Sequence, residues 1–122
     1  MRRSSRFVLL TTTLARRSEA TALARALVEA RLAACAQCEP IRSLYRWKGR
    51  LETATEVRLT AKTRAALAAR AVAFVRARHP YEVPEIVVTP IVAGLEAYLD
   101  WIAAETRPAP AAKHPTRGRR RR

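Results

Sequence analysis

The stretch "RSLYRWKGRLETATEVRLTAK" (residues 42–62) decides the fold. Past the Lys48-Gly49 dipeptide, Leu51, Thr53, Thr55, Val57, Leu59 and Ala61 alternate with Arg50, Glu52, Glu56, Arg58 and Lys62. Successive side chains on a strand point to opposite faces, so a period of two over this length marks a strand with one covered face. Lys48-Gly49 between two strand-like runs is a turn signal. The segment predicts a long β-hairpin.

Upstream, "FVLLTTT" (7–13) is apolar and β-branched, which predicts a buried strand. Ser18 before Glu19 reads as a helix start, with a hydroxyl available to cap free amides. The alanine-rich run to Ala34 is strongly helix-forming, with Leu23, Leu27, Ala30 and Ala34 on one stripe and Val28 and Leu32 on another face. Downstream, Thr63 is placed to cap a second helix whose inward stripe is Leu67, Ala71, Phe74 and Val75. Pro80 cannot continue that helix, so it should stop near His79. "EIVVTPIV" (85–92) reads as a strand that Pro90 confines to a sheet edge or a bulge. Leu95, Tyr98, Leu99 and Ile102 form the apolar face of a short last helix.

The order is β-α-β-β-α-β plus a C-terminal helix. This is an α+β, ferredoxin-like split βαβ sandwich, a four-stranded sheet with two helices on one face. The final helix is too short to cover the other face, so a partner subunit is expected.

At 122 residues the chain supports one domain, placed at 7–105. It is flanked by a basic N-terminal arm (1–6) and a tail (106–122). The net charge is +14, but Arg2, Arg3 and Arg6 give +3 and the residues from Arg107 onward give +7, leaving +4 for residues 7–106. The tail combines proline, alanine and like charges with almost nothing to bury, so it is expected to be disordered. It reads as a solvated solubility segment, with nucleic-acid binding through 107–122 as the alternative. No apolar run approaches the length that crosses a bilayer, and none follows Met1-Arg2-Arg3 as a signal segment would. The expectation is a cytoplasmic protein with reduced thiols and no membrane partner.

Cys35 and Cys38 have the spacing of a redox pair or of half a zinc site. A redox cysteine gains thiolate character at a helix N-terminus, whereas Cys35 follows a predicted helix C-terminus. In an extended chain, residues three apart point to opposite faces. Zinc needs about four ligands, and the chain has two histidines, His79 and His114, and no second cysteine pair. The pair is not expected to act as a unit. Gly49, Gly94 and Gly118 are isolated, so no phosphate loop exists, and no nucleophile–base pair is apparent. The sequence does not read as an enzyme.

"RHPYEVPE" (78–85) packs an imidazole, a phenol and two carboxylates around two prolines. It is either a rigid helix-to-strand connection or a pre-positioned site. Glu56 and Lys62, six apart, share one strand face. Trp47 and Trp101 read first as packing residues.

"LAAC" (32–35), "SLYRWKGRLE" (43–52), "EVRLTAKT" (56–63), "HPYEVPEI" (79–86) and "YLDWI" (98–102), in this order, closely resemble the CutA family of divalent-cation tolerance proteins. The resemblance implies a ferredoxin-like protomer, a homotrimer, and copper or another divalent cation as ligand. Carried over by position, His79 with Glu85 would hold the metal, and Tyr45, Trp47, Glu56, Lys62 and Tyr81 would line an inter-subunit cleft. Arg78 stands where some members have the first histidine of a pair, and Thr12 where some have a cysteine. The alternative is a signalling or scaffold trimer like the PII proteins, binding a small anionic ligand in that cleft with Lys62 and arginines as counter-charge.

Overall fold

The computed structural model describes residues 1–108, apart from the side chain of Arg2. Its elements are β1 (Arg2–Arg3), β2 (Phe7–Leu14), α1 (Arg17–Glu29), β3 (Cys35–Trp47), β4 (Arg50–Arg64), a 3-10 turn (Ala65–Leu67), α2 (Ala68–Arg78), β5 (Ile86–Pro90), β6 (Ala93–Gly94) and α3 (Glu96–Glu105). Four strands form an antiparallel sheet in the order β3-β4-β2-β5, the ferredoxin-like arrangement expected from the element order. Pro40 and Pro90 both lie on edge strands, where a missing N–H leaves no ladder bond broken.

The hairpin turn is legible residue by residue. Lys48 (φ 51°) and Gly49 (φ 78°) are both left-handed, as a two-residue turn matched to the strand twist requires. That turn sets Trp47 opposite Arg50 and fixes the register of all thirteen pairs down to Cys35 opposite Lys62. The partner β2 is shorter: its last pair is Leu14 with Val57. Residues 50–56 of β4 therefore pair only with β3, and the hairpin projects past the sheet as a two-stranded ribbon.

One sheet face packs Leu10, Leu14, Leu59 and Ala61 against Leu23 and Leu27 of α1 and Ala71 and Val75 of α2. Burying each leucine contributes about 1.5–3 kcal/mol, which makes this layer the main source of stability. Among the described residues the other face is covered only at its Phe7 end, where Leu99 and Ile102 of α3 pack on Phe7 and Ala34. At the far end Tyr45 and Trp47 stay exposed, and Leu44 and Leu51 are 66% and 67% exposed on the ribbon's reverse.

Three local expectations are corrected. Helix α1 ends at Glu29 rather than Ala34, because Arg31 turns left-handed (φ 59°). The Arg31 N–H then donates to the Val28 carbonyl and the Leu32 N–H to the Leu27 carbonyl, closing the helix end as a glycine usually would. Ser18 lies inside the helix and does not cap it; the N-cap position is Arg16, which makes no side-chain cap. Thr63 also caps nothing, since β4 runs on to Arg64, and its hydroxyl is buried without a hydrogen-bond partner. The first residues are laid along the domain: β1 pairs with β6, and the Ser4 N–H donates to Val92 O at 2.9 Å. The packed body also extends to Thr106, whose hydroxyl donates to Ile102 O (2.8 Å) while Arg64 Nε donates to it (3.0 Å). The expected disorder of the tail concerns residues that, from 109 on, lie outside the described ones.

Candidate functional site

The ribbon, the end of β2 and the loop after α2 enclose a cleft of about 650 Å³. Tyr45 and Trp47 on β3 and Glu56 on β4 share one face, because strand parity and the turn register align them. Tyr81, Glu82 and Glu85 enter from the loop between α2 and β5. Pro80 and Pro84 flank that loop segment and narrow its conformations.

Glu56 is the centre of the cleft. It is 8% exposed, and both oxygens accept hydrogen bonds, Oε1 from Ser43 Oγ (2.7 Å) and Oε2 from the Tyr81 hydroxyl (2.9 Å). Burial, and then the hydrogen bond and the charge of Glu56, push the Tyr81 phenol well above its ordinary value, so it stays protonated and donates. Among the described residues no lysine or arginine pairs with Glu56. Among the described residues no basic side chain lines the cleft, although the chain carries a net charge of +14.

His79 lies behind this arrangement rather than in it. Its Nε2–H donates to the Thr13 carbonyl (2.8 Å), since a carbonyl can only accept. Its Nδ1 accepts the Tyr81 N–H at 3.2 Å. The ring packs edge-on against Tyr81, 4.8 Å between centroids. Both nitrogens are engaged, and a metal could bind only by displacing one of these partners. His79 thus positions Tyr81, and with it the hydroxyl that reaches Glu56. Arg78 turns away along its own helix, its guanidinium 3.5 Å from the Phe74 ring centroid.

Lys62 is on the face expected, but elsewhere. Six residues of strand carry it about 20 Å from Glu56. There its ammonium donates to the Tyr98 hydroxyl at 3.1 Å, close to Cys35 Sγ, which is 3.7 Å from the same oxygen. Tyr98 stacks on Trp101, so that tryptophan packs within α3. Cys35 pairs with Lys62 and Cys38 with Leu59, three positions apart on opposite sheet faces, and both thiols are free. The double change Cys35→Ala/Cys38→Ala should therefore leave divalent-metal affinity within about twofold of the parent. Loss of one bound metal per chain in a titration would show that the thiols converge.

Ser43 and Thr13 are cleft residues that the sequence reading did not single out, and Glu82 entered it only as one of the two carboxylates of 78–85. Ser43 was within reach of it, sharing parity with Tyr45 and Trp47. Among the described residues no three His, Cys, Asp or Glu side chains converge as a chelating set.

The family model for the CutA1 divalent ion tolerance protein matches residues 8–105. The chain belongs to that family. Mouse Protein CutA is 46% identical over 81 residues, covering 66% of this chain and 46% of the mouse protein. The chain spans about half the length of the mouse and human CutA proteins it matches. The CutA structure from Synechococcus elongatus PCC7942 superposes with a TM-score of 0.84 at 36% identity, covering 87% of this chain and 95% of that one. The protein from Archaeoglobus fulgidus, described as a periplasmic divalent cation tolerance protein CutA, gives 0.81 at 37% identity, covering 83% and 99%. These CutA structures share the sandwich, and the matched region holds every cleft residue named above.

Proposed function

We propose that this protein is a homotrimeric, cytoplasmic divalent-cation tolerance protein whose cleft takes a divalent cation weakly and is completed by a neighbouring subunit. The observation that carries this reading is Glu56: a carboxylate 8% exposed, held by two hydroxyls and by no described basic side chain. Such a charge costs desolvation energy that two hydrogen bonds offset only in part. A cation entering beside it, with Glu82 and Glu85 on the rim, would complete the compensation.

The donor set differs from the one the family resemblance implies. Among the described residues no chelating group is assembled within one subunit, and His79 is occupied on both nitrogens. What the cleft offers is oxygen, which suits magnesium or manganese better than copper. The anionic-ligand alternative loses support for the same reason, since Lys62 and the arginines lie outside the cleft. The proposal assigns the protein no catalytic step.

Calorimetric titration of the parent with manganese, zinc and copper tests the reading. Glu82→Gln/Glu85→Gln should weaken manganese binding by about a hundredfold, roughly tenfold for each charge interaction lost near a protein surface. His79→Ala should change it by less. A carboxylate double variant that binds like the parent, with copper binding abolished by His79→Ala, would return the metal to the imidazole. Tight binding of ATP instead of any cation would favour the anionic-ligand trimer.

A further inference from the structure

Three carboxylates line the cleft and enter it from two sides, Glu56 from β4 and Glu82 and Glu85 from the loop before β5. Among the described residues none of the three has an ion-pair partner. Nor do they converge: among the described residues no three His, Cys, Asp or Glu side chains form a chelating set. A magnesium or calcium ion needs six or more oxygens within about 2.0–2.6 Å, and most of them would have to be water here. The volume of the cleft, about 650 Å³, is that of a site for a small organic molecule rather than for a bare ion. Part of its wall is apolar, made by the half-exposed rings of Tyr45 and Trp47 and by the exposed Val83. One chemistry answers separated negative charges and an apolar wall together: a chain of methylenes that carries ammonium groups.

We propose that the cleft binds a linear aliphatic diamine or polyamine, its ammonium groups against Glu56, Glu82 and Glu85 and its methylenes against Tyr45, Trp47 and Val83. The inference rests on the reading that the cleft takes a cation, and it names the class: a diammonium chain is a divalent cation that spreads its charge. An ammonium group has three donors and no acceptor, so a carboxylate satisfies it without the convergence that a metal requires. Alkylamines are protonated at neutral pH, as the lysine side chain is. Methylenes that leave water against aromatic and aliphatic surface add affinity that a hydrated metal ion does not gain. An ammonium within about 6 Å of an aromatic face gains further from the ring. The Lys48 ammonium already lies 5.8 Å from the Trp47 ring centroid, but Lys48 does not line the cleft and is exposed, so its charge is screened and opposes a ligand only weakly.

Calorimetry on the full chain with 1,4-diaminobutane, 1,6-diaminohexane, 1-aminohexane and spermidine, at fixed ionic strength, tests it. Affinity should rise about twofold per added methylene from the four-carbon to the six-carbon diamine, half the free energy of full burial because the cleft is open to solvent. 1-Aminohexane, with one ammonium, should bind about tenfold more weakly than 1,6-diaminohexane, and spermidine, with three, more tightly than either diamine. Manganese should displace the diamine, and Glu82→Gln/Glu85→Gln should weaken it by roughly tenfold or more. Trp47→Ala/Val83→Ser should flatten the dependence on chain length, a readout that charge alone does not move. Diamines that fail to bind where manganese does would overturn the inference and leave the cation reading standing. So would an affinity that is flat or falling with chain length in the parent, the mark of a diffuse acidic surface. Diamine binding that depends on Glu82 and Glu85, with no manganese binding, would support the amine and overturn the metal.

Discussion

Glu56→Ala is expected to destabilise the protein by about 2–3 kcal/mol, the scale for losing hydrogen bonds to a charged group. The substitution strips partners from Ser43 and Tyr81 together, and both hydroxyls are only half-exposed. Glu56→Gln should cost about 1 kcal/mol, because the amide keeps one acceptor and relieves the buried charge. Tyr81→Phe removes one of the two bonds and should fall between them. The ranking distinguishes causes: if burial of the charge dominated, glutamine would be more stable than the parent. Denaturant unfolding of the four proteins gives the order, and an alanine variant as stable as the parent would remove Glu56 from the centre of the cleft.

The raised Tyr81 pKa adds a sign that can be checked. A phenol held protonated in the folded state contributes stability that is full below its unfolded value, about 10, and is lost as pH rises beyond it. The parent should lose stability between pH 9 and pH 11 by more than Tyr81→Phe does. Identical profiles would mean the hydroxyl is not held by Glu56.

The fold was legible because its strongest signals are local. The two-residue period from Leu51 to Ala61 and the Lys48-Gly49 turn specify the hairpin, and Pro80 stops α2 where a proline must. The end of α1 was not legible: the alanine-rich run favours helix through Ala34, and nothing marks Arg31 as the residue that turns left-handed. At the site, the family resemblance named Tyr45, Trp47 and Glu56, and parity put Glu56 and Lys62 on one strand face, but parity gives no distance, and Lys62 lies six strand residues from Glu56. The role of His79 depends on the Thr13 carbonyl, which only the long-range pairing of β2 brings to it. A ligand's residue type is visible in a sequence; whether its lone pair is already taken is not.

Leu44→Asp/Leu51→Asp should convert the proposed trimer to monomer at micromolar concentration. Residues 50–56 form a ribbon with β3 alone, and an isolated two-stranded ribbon is marginal in water. It nevertheless exposes Leu44 (66%) and Leu51 (67%) on one face and Tyr45 (43%) and Trp47 (41%) on the other. A ribbon apolar on both faces is stable when both are covered, which no element among the described residues does. Covering the two leucines in each of three subunits would contribute roughly 1–2 kcal/mol apiece, since about two thirds of each side chain is still to be buried. Summed over the assembly, that matches what separates a stable trimer from dissociated chains, and a carboxylate in either place reverses its sign. The sheet interior is untouched, so the monomer should keep its helix and strand content by circular dichroism. Light scattering decides the matter: the parent should give about three times the chain mass of 13.6 kDa and the double variant a single one. A parent of single-chain mass would end both the trimer and a cleft completed between subunits. A variant that stayed trimeric would move the interface away from the ribbon.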